Sequence, residues 1–94
     1  MKIAITAIFR SKDECSAKVN QLIQKLAHQS LQEAACLRYE LHETNDDKGI
    51  FILWEEWRDN KGLAFHNQQP YLQDFKEKID AYLESPAEVF LHRK

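Results

Sequence analysis

Two periodicities alternate along this chain, and their order restricts the folds open to it. Ile3 to Phe9 places Ile3, Ile5, Ala7 and Phe9 on one side and Ala4, Thr6 and Ile8 on the other, as a strand does. Val19, Leu22, Ile23 and Leu26 then recur at i, i+3, i+4 and i+7, one helical stripe, in a helix that should end near Ser30. Ahead of it, Ser11-Lys12-Asp13-Glu14 has the form of a capping box. Cys36 to His42 and Ile50 to Trp57 return to period two around the turn-rich segment Thr44 to Gly49, which reads as a hairpin. Asp59 and Asn60 can start a short helix through Asn67. Pro70 suits a first helical position, and Leu72, Phe75, Ile79 and Leu83 carry a further helix that Pro86 closes. Glu88 to His92 supplies a fourth strand. This order predicts an α+β fold of ferredoxin-like form, an antiparallel four-stranded sheet with helices on one face.

Period-two arithmetic then separates the two faces of the hairpin. One carries Leu37, Tyr39 and Leu41 with Phe51, Leu53, Glu55 and Trp57, and is assigned to the helices. The other carries Cys36, Arg38, Glu40 and His42 with Ile50, Ile52, Trp54 and Glu56, joined by Ile8 and Phe90. So much apolar surface is unusual on a monomer, and a partner sheet would cover it. Arg38, Glu40, Ile52, Trp54 and Phe90 are the expected homodimer interface, in which Arg38 could meet Glu40 or Glu56 of a second copy. A cross-strand pairing of Arg38 within its own chain is the alternative.

Ninety-four residues suit one domain over 1–94, and 44% apolar with 30% charged residues is the composition of a folding globule. A net charge of -2 without a basic stripe argues against nucleic acid, and no run approaches the roughly 20 apolar residues of a membrane span. Cys15 and Cys36 show no metal spacing and read as free thiols. The strand-like start lacks the features of a signal peptide, so a cytoplasmic location is expected.

Glu55 is the one charge on the face assigned to the core, where an unpaired carboxylate costs several kcal/mol. It could also be a rim residue near the strand end. His66, in the segment after the third strand, is the candidate partner, since a histidine held by a carboxylate can act as a base near neutral pH. Taken alone, it could equally be a locally bonded histidine. Aromatic residues including Tyr39, Phe51, Trp57, Phe65, Tyr71 and Phe75 are numerous for a short chain. Most serve the core, and a subset around Glu55 and His66 could line a pocket for a flat ligand.

Cys36-Leu37-Arg38-Tyr39-Glu40-Leu41, Phe51-Ile52-Leu53-Trp54-Glu55-Glu56-Trp57, Ala64-Phe65-His66-Asn67 and Pro70-Tyr71-Leu72-Gln73-Asp74-Phe75 together resemble the antibiotic biosynthesis monooxygenase family, over nearly the whole chain. The resemblance implies a dimeric ferredoxin-like α/β barrel with a pocket between sheet and helices. In several members it implies oxygenation of polycyclic phenols or quinols without metal, flavin or haem. On that footing no cofactor and no metal is expected, His66 would be the base, Glu55 its orienter, and Tyr39, Phe51 and Trp57 would line the site. The same scaffold serves an isomerase of a phosphorylated autoinducer-2 product, for which Arg10, Arg58 and Lys61 are possible anion contacts. It also serves haem degradation, which is disfavoured because Thr6 stands where those relatives use Asn and Tyr71 to Glu84 contains no His. A non-catalytic dimeric binding module is the alternative from another class.

Overall fold

The computed structural model describes residues 1–46 and 48–93. Asp47, in the expected Thr44 to Gly49 loop, and Lys94, at the end of the expected domain, lie outside the described residues. The elements run β1 (Ile3–Arg10), α1 (Ser16–Ser30), β2 (Cys36–Glu43), β3 (Ile50–Trp57), α2 (Asn60–Asn67), α3 (Pro70–Ile79) and β4 (Glu88–His92), with a 3-10 turn at Asp80–Tyr82 after α3. All pairings are antiparallel and the strand order is β2-β3-β1-β4, the ferredoxin-like arrangement the periodicities predict.

Helix cover decides the core. Val19, Ile23 and Leu26 of α1 and Leu72, Phe75 and Ile79 of α3 are buried against Ile5, Ala7, Phe9, Phe51, Leu53 and Trp57 of the sheet. Phe9 and Phe75 meet edge to face at 6.0 Å, a geometry favoured by the ring quadrupoles. The cover does not reach β4. Val89 and Leu91 stand opposite Ala7 and Ile5 on the helix side of the sheet, yet remain 56% and 63% exposed.

Three local expectations are corrected. Ser11 and Glu14 form no capping box: Ser11 bridges to Leu83 and donates its hydroxyl to the Gly49 carbonyl, and Glu14 turns at φ 69°, so α1 begins at Ser16 with Cys15 as its cap residue. Leu37 leaves the covered face because a register shift between Cys36 and Arg38 adds a residue there. Cys36 thereby faces Trp57 and packs on the core, while Leu37 is 45% exposed. Such a bulge leaves the extra residue unpaired and re-aims its neighbours. Leu83 is buried as the periodicity requires, but in extended backbone (φ -106°, ψ 143°), and the helix ends earlier, at Ile79. The chain needs that end there so that Tyr82, Leu83 and Glu84 can bond back to the segment Arg10 to Lys12.

The start of α2 matches its sequence signal. Asp59 Oδ1 accepts from the Gly62 amide at 2.8 Å, capping the helix. Gly62 lies against Ala35, and a Cβ at that position would collide with the Ala35 side chain. Gly62→Ala is therefore expected to lower stability in denaturant unfolding by about 1–3 kcal/mol through overpacking, and Asp59→Ala by about 1 kcal/mol through loss of the cap.

Candidate active site

Between the covered face of the sheet and helices α2 and α3 lies a cavity of about 410 Å³. Its walls are largely apolar: Ile5, Ala7, Phe9 and Leu53 from the sheet, Leu26 from α1, Leu72, Phe75 and Ile79 from α3. The polar groups that reach it are few, namely Tyr39, Glu55, His66 and Asn67, with Lys76 and Asp80 from the end of α3. Pro86, Ala87 and Val89 border it on the side where the helices stop short of β4. An apolar cleft with a few convergent polar groups is the usual form of a small-molecule site.

Period two puts Glu55 on this face, between Leu53 and Trp57 and opposite Ile5 and Tyr39. It is buried, and the Trp57 indole Nε1–H donates to its Oε1 at 3.0 Å. Burial pushes the Glu55 carboxyl up to about 7, while the hydrogen bonds from Trp57 and Tyr39 hold it back from rising further. The Tyr39 hydroxyl is raised well above its ordinary value, first by burial and then by the nearby Glu55 charge, so it remains a phenol.

His66 sits in the last turn of α2, 2% exposed. Its ring lies on Trp57, centroids 4.3 Å apart at 35°, with the Tyr39 ring edge-on at 5.9 Å. Glu55 is not its hydrogen-bond partner. His66 Nδ1 is instead 2.7 Å from Oε2 of Glu33, in the turn between α1 and β2, and the Tyr71 hydroxyl donates to the same oxygen. Trp57 is the physical link between the two expected groups, bonded to Glu55 through its nitrogen and stacked on His66 through its face.

Of the other residues expected to line the site, Tyr39 and Phe75 do. Phe51 is 1% exposed and is not in the cavity wall, and Phe65 is 61% exposed on the outer side of α2. Tyr71 and Trp57 are not in the cavity wall but contact Glu33, Glu55 and His66. Glu33, Asn67 and Lys76 join the site without a sequence pattern that singles them out for it. No periodicity marks a turn residue such as Glu33, and its only signal is an acid three residues before a strand that begins on a core-packed Cys36. Cys36 is raised to about 11 by burial and by the fields of Glu55 and Glu33, which keeps it a neutral thiol.

The Glu55 titration has a stability consequence. Because the fold favours its protonated form, this contribution is intact below pH 4.5 and is lost as pH rises through about 7. The gap between those values corresponds to about 3 kcal/mol. Wild-type unfolding free energy should fall relative to Glu55→Gln over that interval, and in Trp57→Phe the Glu55 midpoint followed by carboxyl NMR should move upward, since a donor to the charged form is gone.

A family model described as antibiotic biosynthesis monooxygenase matches residues 2–78. YcnE of Bacillus subtilis, provisionally named a monooxygenase, is 28% identical over 87 residues, 93% of this chain and 92% of its own. An uncharacterized Synechocystis protein, sll1783, is 28% identical over 91 residues, 97% of this chain, which spans only 62% of that relative's length. Among solved structures, Rv0793 of Mycobacterium tuberculosis superposes with a TM-score of 0.94 at 21% identity, covering 100% of this chain and 95% of that one, a likeness of fold. A crystal structure named antibiotic biosynthesis monooxygenase gives 0.89 at 27% identity, covering 98% and 97%. With the family model spanning most of its length and its β2-β3-β1-β4 sheet superposing on solved relatives, the chain belongs to the antibiotic biosynthesis monooxygenase family.

Proposed function

We propose that the chain is a monooxygenase of a quinol, phenol or related enolisable aromatic compound, with His66 as the base and the substrate itself as the source of electrons. The observation that carries this reading is the cavity, whose apolar walls present one oriented imidazole and one buried carboxyl to a flat ligand. Removal of a hydroxyl proton by His66 gives an anion that can pass an electron to dioxygen, and recombination places a peroxide on an adjacent ring carbon that still bears hydrogen. Loss of water from that carbon leaves a carbonyl. One oxygen atom is kept, the other departs as water, and the substrate supplies all the electrons. Glu55, bonded to Trp57 and facing the cavity, is read as a hydrogen-bonding and proton-exchanging partner of the substrate oxygens rather than as the orienter of His66. The apolar walls exclude water from the peroxide.

The same proposal includes one working domain, a homodimer and a cytoplasmic location. Supporting the dimer, Trp54 and Phe90 are 44% and 52% exposed on the open face, flanking Thr6 on either side, with Ile8 and Ile52 half-buried beside them. Arg38 stands opposite Glu56 and pairs with Glu40 of its own chain at 3.1 Å, so the apolar residues are the main attraction across a two-fold axis. Free Cys15 and Cys36 suit a reducing compartment. No helix among the described residues is long and apolar enough to cross a membrane.

His66→Gln, which keeps much of the side-chain volume, is expected to cut dioxygen-dependent turnover of a quinol and phenol panel by about 10²–10⁴-fold with thermal unfolding little changed. Turnover at the wild-type rate would remove His66 as the base. Ile52→Glu should convert dimer to monomer in sedimentation velocity, and a variant that sediments as a dimer overturns the interface.

A further inference from the structure

Glu33 is the least expected charge in the molecule. It belongs to no helix or strand, yet its side chain is 9% exposed and meets a His66 side chain that is 3% exposed. The turn holds its backbone at both ends: the Glu33 amide donates to the Ser30 carbonyl at 3.0 Å, and the Cys36 amide donates to the Glu33 carbonyl at 3.1 Å. Both side-chain donors converge on one oxygen, Oε2, while the buried Oε1 has no hydrogen-bond partner among the described residues. A carboxylate this enclosed depends on hydrogen-bond donors to replace lost water. Packing alone does not account for it.

Hydrogen-bond chemistry says what the arrangement fixes. A carboxylate only accepts, so the hydrogen at the 2.7 Å contact belongs to His66 Nδ1. A neutral imidazole carries one hydrogen, and Nε2 is then bare. That atom has no partner among the described residues, and His66 borders the cavity. Tyr71, 3.3 Å from Nδ1 and 3.4 Å from Ser30 Oγ, gives its own hydrogen to Glu33, and it remains a phenol because burial and the Glu33 bond both raise it. The groups that face His66 are thus Glu33 from the turn, Tyr71 from α3, Tyr39 and Trp57 from the sheet, with Glu55 behind Trp57.

We propose that Glu33, steadied by Tyr71, is the positioning residue of this site, holding His66 in the tautomer protonated at Nδ1 with its basic Nε2 toward the cavity. Glu33 touches no part of the cavity and acts only through the imidazole. The activity part of this inference rests on the reading of His66 as the base, and the tautomer part does not.

Long-range proton–nitrogen NMR of the His66 ring in the uniformly labelled wild-type protein tests it without any ligand. The Nδ1–H tautomer is expected, and a proton on Nε2 overturns the assignment. In Glu33→Gln the side-chain amide can itself donate to Nδ1, so the tautomer should become mixed or inverted. The kcat for dioxygen-dependent oxidation of 1,4-dihydroxynaphthalene should fall about 10–100-fold with KM within about two-fold. An unchanged tautomer and unchanged kcat in a folded Glu33→Gln protein also overturns it. Should that variant fail to fold, Tyr71→Phe serves: it should keep the Nδ1–H tautomer, because the direct Glu33 bond remains, and a switch to Nε2–H there counts against Glu33. If the tautomers behave as expected while wild-type protein turns over no quinol, the positioning role stands and the monooxygenase reading of His66 fails.

Discussion

Trp57 is the residue on which the site depends. It is wholly buried at the end of β3, its indole nitrogen bonded to Glu55 and its ring lying on His66. Removing such a side chain from a core costs about 3–5 kcal/mol in transfer and cavity terms alone. Here it would also leave a buried carboxyl with one donor fewer and an imidazole without its platform. Because one rigid ring meets both groups, their relative placement follows the packing of β3 against α2 and is not left to flexible side chains.

The two glutamates of the site stand in unlike surroundings. Glu55 lies in the cavity wall on a strand, and its environment favours the protonated form up to about neutral pH. Glu33 lies outside the cavity in a turn and gathers two donors on one oxygen. The half-covered sheet has its own consequence: helices that stop short of β4 leave the cavity bordered by Pro86, Ala87 and Val89, and leave apolar residues of β4 exposed on both sides.

Much of the fold was legible because hydrophobic period reports which face is buried. Ile3 to Phe9, Ile50 to Trp57 and the α1 stripe needed no more than that, and Asp59 and Pro70 marked the starts of α2 and α3 correctly. The failures share a cause. Leu37 and Cys36 exchanged faces because a bulge breaks the count of two, and Ser11 was drawn from helix capping by a distant carbonyl at Gly49. Leu83 kept its burial but lost its helix, because the chain there returns to the end of β1.

For the site, the sequence alone determined that a carboxyl would stand on the covered face, since Glu55 shares the parity of Leu53 and Trp57, and that His66 would follow close behind. It could not say which acid reaches the histidine. Glu55 and His66 are near in the chain, whereas Glu33 is 33 residues away and arrives only when the α1–β2 turn packs beside α2 and α3. Proximity in sequence favoured one partner and tertiary packing chose the other, because a hydrogen bond depends on where atoms stand and carries no memory of chain distance.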